Sequence, residues 1–383
     1  MSYVETDEQQ MLRKQVAELG RSYGRKYYME KSKAGEPPKE LWADIARHGF
    51  VGVNTAEEYG GGGLGIYELQ VVCEELAAAG CPLLLLLVSP AICATVIGRF
   101  GTDAQKQDWL PSLASGDKLM AFAITEPDAG SNSHRIATEA TKDGSDWILS
   151  GTKYYISGAD SADAILVVAR TGGADDGRGR LSLFIVDADS AGLDKTVIPM
   201  QIPAADRQFT LFFDKVRVPG DRLIGNEGQG LAQVFTGLNP ERILGASLAN
   251  GAARYAIQTA AEYAKERAVW GAPIGSHQGI AHPMAQAKIE VELARLMTHK
   301  AAWLFDAGKD AGEAANMAKY AAAEAALSAI DSAIQTHGGN GMSEEYGIAQ
   351  LWGLARTMRI APVSREMILN FIAQHSLGLP KSY

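Results

Sequence analysis

Four segments of the sequence carry residue types that could bind a ligand and take part in chemistry. They are Phe122–Asn132 (FAITEPDAGSN), Tyr155–Ser157 (YIS), Arg267 with Gln278, and Gln335–Gly341 (QTHGGNG). Hydroxyl, amide and guanidinium groups donate hydrogen bonds, and glycine lets a backbone or a ligand approach closely. Taken singly, each segment could equally be a turn, a strand end, a helix cap or a tight loop between helices.

Three other chemistries are disfavoured by their sequence context. Gly60, Gly62 and Gly65 fit the dinucleotide-binding pattern G-x-G-x-x-G, but no strand or βαβ unit is predicted around them, which favours a turn between helices. The seven histidines lack the spacing of metal ligands. Ser131 and Ser157 lack the strand–turn–helix context of a nucleophile elbow, which disfavours serine hydrolase chemistry.

The elements that must position these segments form three regions, and the first, to about residue 118, is helical. Thr6 and Gln9 have the spacing of a capping box, and apolar residues then recur at helical spacing up to Tyr27. A second helix is predicted between Pro37-Pro38 and Gly49. A glycine run at 60–63 precedes a third helix, and the apolar run 83–88 is too short to cross a bilayer and is expected in the core.

The second region, from about 119 to 225, has the pattern of short strands. Its apolar runs are rich in β-branched and aromatic residues and are separated by glycine and aspartate turns. No helical segment lies between the runs, which predicts an antiparallel sheet or barrel and disfavours a βαβ unit. The predicted strands are Trp147–Ile156, Ala164–Ala169, Leu181–Val186 and Phe209–Val218.

The third region, 226 to 383, is helical and rich in alanine. A helix is predicted to begin at Asn239-Pro240-Glu241, with asparagine as the N-cap and proline at the first helical position. No internal repeat appears, so the order along the chain is helical, then β, then helical. The apolar stripes of this helix and the next one are Leu244, Leu248 and Tyr255, and Ile289, Leu293, Leu296 and Trp303.

On these segments and in this order, the sequence resembles the acyl-CoA dehydrogenase family over nearly its whole length. The T-E-P-x-A-G-S pattern at 125–131 and the Q-x-x-G-G-N-G pattern at 335–341 are together highly specific. The resemblance implies an α+β protein with an N-terminal helical domain, 1–118, a central antiparallel β-barrel or sandwich domain, 119–225, and a C-terminal four-helix-bundle domain, 226–383. It implies FAD as the cofactor.

The resemblance also implies which residues in the β region contact the flavin. Phe122, Ile124 and Thr125 correspond to a segment that lines it, in which a backbone amide and the Thr125 hydroxyl bond the pyrimidine ring. Ser131 corresponds to a residue that meets the cofactor and the CoA side of the substrate. The tripeptide Tyr155-Ile156-Ser157 is similar to the family's W-I-T, which packs on the flavin near N5.

Further cofactor contacts are implied in the C-terminal region. Arg267 and Gln278 resemble residues that hold the FAD pyrophosphate and adenosine, often across a subunit boundary. Gln335 with Gly338-Gly339 resembles a loop that the cofactor or another backbone approaches closely. Ser364 and Glu366 fall at flavin-contacting positions, with Glu366 replacing a glutamine.

The position of the catalytic base departs from the commonest family pattern. Many members carry the base in a Y-E-G-T segment. Alignment places Ala361–Ser364 over that segment, so that Pro362 occupies the position of the catalytic glutamate. A minority branch, including isovaleryl-CoA and long-chain dehydrogenases, takes its base from a glutamate immediately before an arginine. Glu241 precedes Arg242 in that way. The alternative is that Glu241 only complements a helix dipole in a first turn.

The implied reaction is α,β-desaturation of an acyl-CoA thioester. Glu241 would remove the α-proton while the β-hydrogen passes as hydride to flavin N5. The carbonyl oxygen needs hydrogen-bond donors as negative charge develops, and Pro362 has no N–H, which leaves the Val363 N–H as a candidate. Asn239 and Arg242, with Ser131, are the expected substrate contacts.

The resemblance implies an electron-transferring flavoprotein as the electron acceptor and a homotetramer built as a dimer of dimers. Two alternatives stay open. One is a flavin-dependent monooxygenase or oxidase on the same fold, which Glu241 argues against because oxygen insertion needs no α-proton base. The other is a base-less partner subunit of a hetero-oligomeric dehydrogenase, which Pro362 suggests.

Composition bounds the remaining possibilities. The 383 residues carry a formal net charge of -9 without a basic face, which argues against a nucleic-acid partner. The three cysteines form no metal-spaced pair, and the first ten residues lack the pattern of a signal peptide. We therefore expect a cytoplasmic protein that does not span or bind a membrane.

Overall fold

The computed structural model describes residues 5–172 and 180–381. Its residues form two compact units, which are called here the helical unit and the sheet unit. Each unit combines separate segments of the chain, so the units do not test the domain boundaries predicted at residues 118 and 225, which stay a prediction. The helical unit comprises Met1–Glu30, Ile66–Leu83 and Arg242–Tyr383, and the sheet unit comprises Lys31–Gly65 and Leu84–Glu241.

Helices occupy the two regions in which apolar residues recur at helical spacing. The predicted core run 83–88 is buried except for Leu84, which is half-buried. The chain is π-helical over Leu87–Ala94, where all eight residues are buried. The helices are α1 (Asp7–Ala34), α2 (Lys39–Arg47), α3 (Ile66–Ala78), α4 (Thr95–Phe100), α5 (Asp103–Ala114), α6 (Gly230–Glu266), α7 (Gln278–Asp306), α8 (Gly312–His337), α9 (Ala349–Ile360) and α10 (Arg365–Phe371).

Local signals near the N-terminus are confirmed. The Thr6 N–H donates to Gln9 Oε1 at 3.0 Å and the Gln9 N–H donates to Thr6 Oγ1 at 3.2 Å, which is the predicted capping box. In the glycine run before α3, a Cβ on Gly61 would lie 2.2 Å from the Thr55 carbonyl oxygen. The run is therefore a tightly packed turn, and no strand precedes it in the described chain.

The strands form one eight-stranded sheet and a small two-stranded hairpin among the described residues. In the large sheet the order is β6-β7-β3-β2-β4-β5-β8, and β1 pairs with β4 off this path. All four predicted strands are present, as β3, β4, β5 and β7. The strands are β1 (Met120–Ala123), β2 (Glu139–Asp143), β3 (Asp146–Ser157), β4 (Ala164–Gly172), β5 (Arg180–Asp187), β6 (Leu193–Ile198), β7 (Gln208–Val218), β8 (Leu223–Ile224), β9 (Ala268–Val269) and β10 (Ala272–Pro273).

The prediction of an antiparallel barrel or sandwich is corrected by this topology. The sheet is mixed, because β4 runs parallel to β1 and to the first residue of β2, and no closed barrel forms within the described ranges. Parallel neighbours need a long connection, and the stretch of chain between β1 and β4, which contains the β2–β3 hairpin, supplies it. Sequence reasoning missed β1 and β2 because each is only four or five residues long.

The predicted start of the helix that carries Glu241 is wrong. Helix α6 begins at Gly230, so Asn239 is not its N-cap and Pro240 lies inside it. Proline is expected at the first helical position, but a long helix tolerates it in the interior at the loss of one backbone hydrogen bond. The buried contacts of the flanking residues Val234 and Leu244 explain why the helix continues through the proline.

The two apolar stripes of the C-terminal region have different environments. Leu244 and Leu248 on α6 are fully buried. On α7, by contrast, Ile289, Leu293 and Leu296 expose 61%, 63% and 47% of their surfaces. An apolar stripe of this kind on one helix marks a surface suited to an interaction with another protein.

The core of the helical unit contains a buried network of charges around α3. Glu74 is fully buried and lies 2.5 Å from Arg254, 2.7 Å from Arg295 and 3.4 Å from Arg13. Burial alone would raise the pKa of Glu74, but His299 and the three arginines outweigh it and hold that pKa below its usual range. Glu74 is therefore the carboxylate that neutralises arginines from three other helices.

The described chain contains neither a membrane-crossing helix nor a metal-binding cluster. No helix among the described residues is both long and apolar enough to span a bilayer. No group of three or more histidine, cysteine, aspartate or glutamate side chains in residues 5–172 and 180–381 could hold a metal ion. The three cysteines are free and buried.

One buried aspartate of the sheet unit makes stability depend on pH. Asp206 precedes β7 and is 4% exposed. Burial raises its pKa to about 7, against the opposing effect of a hydrogen bond from the Leu84 backbone, and nearby Asp160 adds to the rise. The folded state therefore holds a proton between about pH 4 and pH 7 that the unfolded chain has released. Stability from this group is complete below pH 4 and is lost as the pH rises towards 7.

We expect Asp206→Asn to be more stable than the wild type above pH 7, by up to about 4 kcal/mol, because asparagine imitates the protonated acid. The advantage should shrink steadily towards pH 4. Urea unfolding at a series of pH values measures it, with Asp214→Asn, at an exposed position on β7, as the control. A constant difference between Asp206→Asn and the wild type across this range would contradict the assignment.

Candidate active site

The segment predicted to line a flavin begins in the sheet unit as a strand and then leaves the sheet. The strand β1 ends at Ala123, and the flavin-lining segment continues from Ile124 as a loop. Glu126 and Ala129 exchange two backbone hydrogen bonds of 3.2 Å across Pro127-Asp128, which closes a turn. The turn begins three residues beyond the end of β1, so the chain has left the sheet before it reaches Pro127.

This loop is joined to β3 close to the second predicted segment. The Tyr154 N–H donates to the Thr125 carbonyl at 2.8 Å. The Lys153 ammonium donates to the Ile124 carbonyl at 3.0 Å and lies 2.9 Å from Glu126 Oε1. The structure therefore brings together Ile124 and Thr125 with the start of the Tyr155–Ser157 segment, as expected of two segments that line one ligand.

Strand β3 is irregular where it carries Tyr155. Its register with β7 shifts between Lys153 and Ile156, and Tyr155 has a positive φ of 57°. Such a conformation is strained for a bulky residue, and strain of this kind concentrates at functional sites. The bulge leaves the Tyr155 side chain 51% exposed while Ile156 is buried. The bulge therefore makes the Tyr155 ring accessible to a bound ligand.

The third residue of this segment is held by the neighbouring strand. The Ser157 hydroxyl lies 3.1 Å from Gln208 Oε1 and 3.0 Å from Gln208 Nε2, at the end of the β3–β7 pairing. The Gln208 amide orients the Ser157 hydroxyl, and Ser157 is half-buried. Sequence reasoning identified Ser157 but not Gln208, because the pairing of β3 with β7 joins residues far apart in the chain.

Glu241 lies in the interior of α6, about three turns beyond its first residue. The alternative that Glu241 complements a helix dipole in a first turn is therefore removed, because that effect fades within one turn. One turn earlier, a Cβ on Gly237 would lie 2.9 Å from Val96 and 3.2 Å from Ile92. This part of α6 thus packs closely on the buried segment around Leu87–Ala94.

A buried thiol supports this placement of Glu241. Burial raises the pKa of Cys93 well above its ordinary value, and the negative charge of Glu241 adds to the rise. Cys93 also faces β1, where its Sγ lies 3.6 Å from the Ala121 carbonyl oxygen. The Cys93 thiol therefore contacts β1 and also senses the charge of Glu241. Asn239, two residues before it, is half-buried.

In the helical unit, the glycine-rich segment follows the end of α8. Gly338 has φ 58°, and a Cβ on Gly338 or Gly339 would meet no atom of residues 5–172 or 180–381 within 4 Å. A Cβ on Gly341, by contrast, would lie 2.5 Å from the Ile334 carbonyl oxygen. Packing within the chain therefore requires Gly341, whereas the backbone at Gly338 and Gly339 is open to an outside group. Gln335, in the last turn of α8, is exposed.

Aromatic residues connect this segment with the end of α6. The Tyr263 and His337 rings stack with centroids 4.4 Å apart, and Asn340 Nδ2 donates to the Tyr263 hydroxyl at 3.2 Å. Arg267 follows Tyr263 by four residues and is exposed, as is Gln278 at the start of α7. The two predicted cofactor contacts thus flank the β9–β10 hairpin.

The tip of that hairpin carries a feature that sequence reasoning missed. Trp270 is 92% exposed and has φ 53°, so the Trp270-Gly271 turn holds an indole ring in solvent. An exposed indole offers a large apolar surface to another molecule. The signal available in the sequence was the tryptophan–glycine pair in a short turn.

Two of the remaining predicted residues, Ser364 and Glu366, lie at the start of α10. Lys319 is 2% exposed and its ammonium donates to the Val363 carbonyl, which holds the segment where Pro362 stands. Ser364 is the N-cap of α10 and accepts from the Met367 N–H at 3.3 Å. The Glu366 side chain is 72% exposed. Arg242 of the helical unit is 7% exposed.

Comparison with known proteins identifies the class to which this fold and these segments belong. Acyl-CoA dehydrogenase N-terminal, middle and C-terminal domains match residues 6–117, 121–216 and 228–377. Acyl-CoA dehydrogenase FadE12 of Mycobacterium tuberculosis is 57% identical over 100% of this chain and 99% of its own length.

Solved structures give the same result. Butyryl-CoA dehydrogenase from Megasphaera elsdenii is 31% identical with a TM-score of 0.93, covering 98% of this chain and 100% of that one. Glutaryl-CoA dehydrogenase from Mycobacterium smegmatis in complex with FADH2 is 26% identical with a TM-score of 0.92, covering 99% and 96%. The chain belongs to the acyl-CoA dehydrogenase family, FAD-dependent oxidoreductases that act on CH–CH bonds. The family resemblance, FAD and the helical–β–helical architecture are thereby confirmed.

Proposed function

We propose that this acyl-CoA dehydrogenase uses Glu241 as the base that removes the α-proton of its acyl-CoA substrate. The observation that carries the proposal is the position of Glu241 in the interior of α6, one turn after Gly237 packs on Ile92 and Val96, where its charge raises the pKa of Cys93. A helix interior holds a carboxylate more rigidly than a loop, which favours a fixed proton-transfer geometry. Pro362, at the position of the commoner base, cannot accept a proton.

The developing charge on the thioester oxygen needs donors from the chain. We assign this role to the Val363 N–H, next to the peptide whose carbonyl is held by the buried Lys319 ammonium. Arg242, with Asn239 and Ser131, is assigned to the CoA side of the substrate. Each of these groups binds or orients the thioester, and Glu241 alone moves a proton.

FAD binding is assigned to Phe122, Ile124, Thr125, Ser131, and Tyr155–Ser157 in the sheet unit. In the helical unit it is assigned to Arg267, Gln278, Gln335, Gly338, Gly339, Ser364 and Glu366. The residues fit the group, because Tyr155 is exposed at a strained bulge and the backbone at Gly338-Gly339 has open space where a Cβ would lie. Bound FAD supplies the acceptor for the hydride that leaves the β-carbon.

We further propose a homotetramer and an electron-transferring flavoprotein as the electron acceptor. The exposed apolar stripe Ile289, Leu293 and Leu296 supports self-association, since a monomer rarely leaves three large aliphatic side chains together in water. The exposed Trp270 next to Arg267 supports a cofactor contact across a subunit boundary. Three free buried cysteines support a cytoplasmic location.

The purified protein is expected to be yellow with about one FAD per chain, and acyl-CoA thioesters should bleach it under anaerobic conditions. A stopped-flow screen of straight-chain and branched thioesters measures the reduction. Electron-transferring flavoprotein should then restore the colour quickly and oxygen slowly. Rapid reoxidation by oxygen would favour an oxidase, and a flavin that no thioester bleaches would favour a base-less partner subunit. A protein that takes up no FAD would overturn the assignment.

A further inference from the structure

A buried ion pair lies between the two segments that are assigned to the flavin. Lys153 on β3 is fully buried, and Glu126 in the loop after β1 is 6% exposed. The Lys153 ammonium lies 2.9 Å from Glu126 Oε1 and donates to the Ile124 carbonyl at 3.0 Å. One lysine thus holds both a carboxylate and a backbone carbonyl of the same loop.

The carboxylate of this pair is itself fixed from the other side. Glu126 accepts hydrogen bonds from the backbone N–H groups of Ala137 at 2.6 Å and Thr138 at 2.9 Å. Its own backbone exchanges two hydrogen bonds with Ala129. Glu126 therefore cannot follow Lys153 if the lysine moves, and the lysine has one defined position in relation to the loop.

These contacts determine the direction of the peptide group between Ile124 and Thr125. The peptide is planar and trans, so its carbonyl and its N–H point in opposite directions. With the carbonyl held by Lys153, the Thr125 N–H must point away from the lysine. The carbonyl of Thr125 belongs to the next peptide group, and it accepts from the Tyr154 N–H at 2.8 Å. Both peptide groups that flank Thr125 are thus held by β3.

Stability alone does not explain such a pair. Burial lowers the pKa of Lys153 to about 8, against the opposing attraction of Glu126, so the charge is costly to keep. A buried ion pair is often no more stabilising than two well-packed apolar side chains of similar volume. What the ammonium adds is direction and polarisation, because a carbonyl bound to a cation makes the N–H of the same peptide a stronger donor.

We propose that Lys153 and Glu126 are positioning residues that aim the polarised Thr125 N–H at the pyrimidine ring of bound FAD and thereby stabilise the reduced flavin. The inference rests on the proposed role of the Thr125 segment. Reduction of bound FAD would place negative charge on that ring, so a stronger N–H donor from Thr125 would favour reduction. Lys153 and Glu126 act through the peptide and touch neither the substrate nor the reacting atoms.

The test compares Lys153→Met, Glu126→Gln and the double variant in the FAD-loaded protein. Lys153→Met is expected to bind FAD about tenfold more weakly, to have a more negative flavin midpoint potential and to show a shifted visible spectrum, since a charge-assisted hydrogen bond is lost. The control is Lys142→Met, at an exposed surface lysine on β2 that pairs with Glu227. It should change none of these three quantities.

The double variant separates positioning from stability. It removes both buried charges, so its thermal unfolding temperature should recover from that of Lys153→Met. Its potential and spectrum should nevertheless stay shifted, because the Ile124 carbonyl has lost its donor. Recovery of the wild-type potential and FAD affinity in the double variant would overturn the inference and make the pair purely structural. A wild-type chain that takes up no FAD would instead overturn the proposed function.

Discussion

Replacement of Glu241 by glutamine is expected to lower the rate of flavin reduction by acyl-CoA at least about a hundredfold. Glutamine keeps the shape of the side chain and cannot accept the α-proton at neutral pH. Because Glu241 lies inside α6 and is only half-buried, the variant should fold and should bind FAD and substrate nearly as the wild type does. The loss should therefore appear in the limiting reduction rate and not in the affinity for substrate.

Anaerobic stopped-flow bleaching at saturating acyl-CoA measures that limiting rate. Glu262→Gln, a change to an exposed glutamate on the same helix, is the matched control and should reduce its flavin at the wild-type rate. Glu366→Gln tests the nearest other carboxylate to Pro362, and its effect should be confined to FAD affinity. Wild-type reduction by Glu241→Gln would show that Glu241 is not the base and would leave the proposed FAD site untouched.

Glu74→Gln is expected to lower the free energy of unfolding by about 3–5 kcal/mol, the largest stability effect we predict. The carboxylate is fully buried among Arg13, Arg254 and Arg295, and a neutral amide would leave their charges partly uncompensated in the core. Glu75 also contacts Arg13 and Arg254, Glu5 contacts Arg13, and Glu292 contacts Arg295. These carboxylates are more exposed than Glu74, so they can replace only part of the lost charge.

Urea unfolding of the FAD-free protein measures this loss, since bound cofactor would add its own stabilisation. Glu262→Gln again serves as the control, because its exposed pair with Lys265 should contribute no more than about 0.5 kcal/mol. If both variants lost the same small amount, the arginines around Glu74 would have to be compensated by solvent or by Glu75, and the network would not be essential to the core.

Elements and segments with local signals could be read from the sequence. The capping box at Thr6 and Gln9 depends on residues three apart, and the four strands depend on runs of β-branched and aromatic residues between turns. The family segments at 125–131 and 335–341 are also local, and the match to the family confirms what they indicate. Signals of this kind act between neighbours in the chain, so they survive without knowledge of the fold.

Other features were decided by contacts between distant residues. The start of α6 was wrong because Asn239-Pro240 is a strong local N-cap signal, yet burial of the residues on both sides carries the helix through the proline from Gly230. The parallel pairing of β1 with β4 was missed because strand order is not contained in the alternation of a single strand.

The buried charges show the same limit most clearly. Nothing in the spacing of Lys153 and Glu126, 27 residues apart, predicts that they form a buried pair. Glu74 likewise meets arginines 61, 180 and 221 residues away. Isolated charges look like solvated surface in a sequence, because burial of a charge is costly unless a partner is present. Only the tertiary structure brings the partners together, and it therefore decides which charged residues lie in the core and beside the candidate active site.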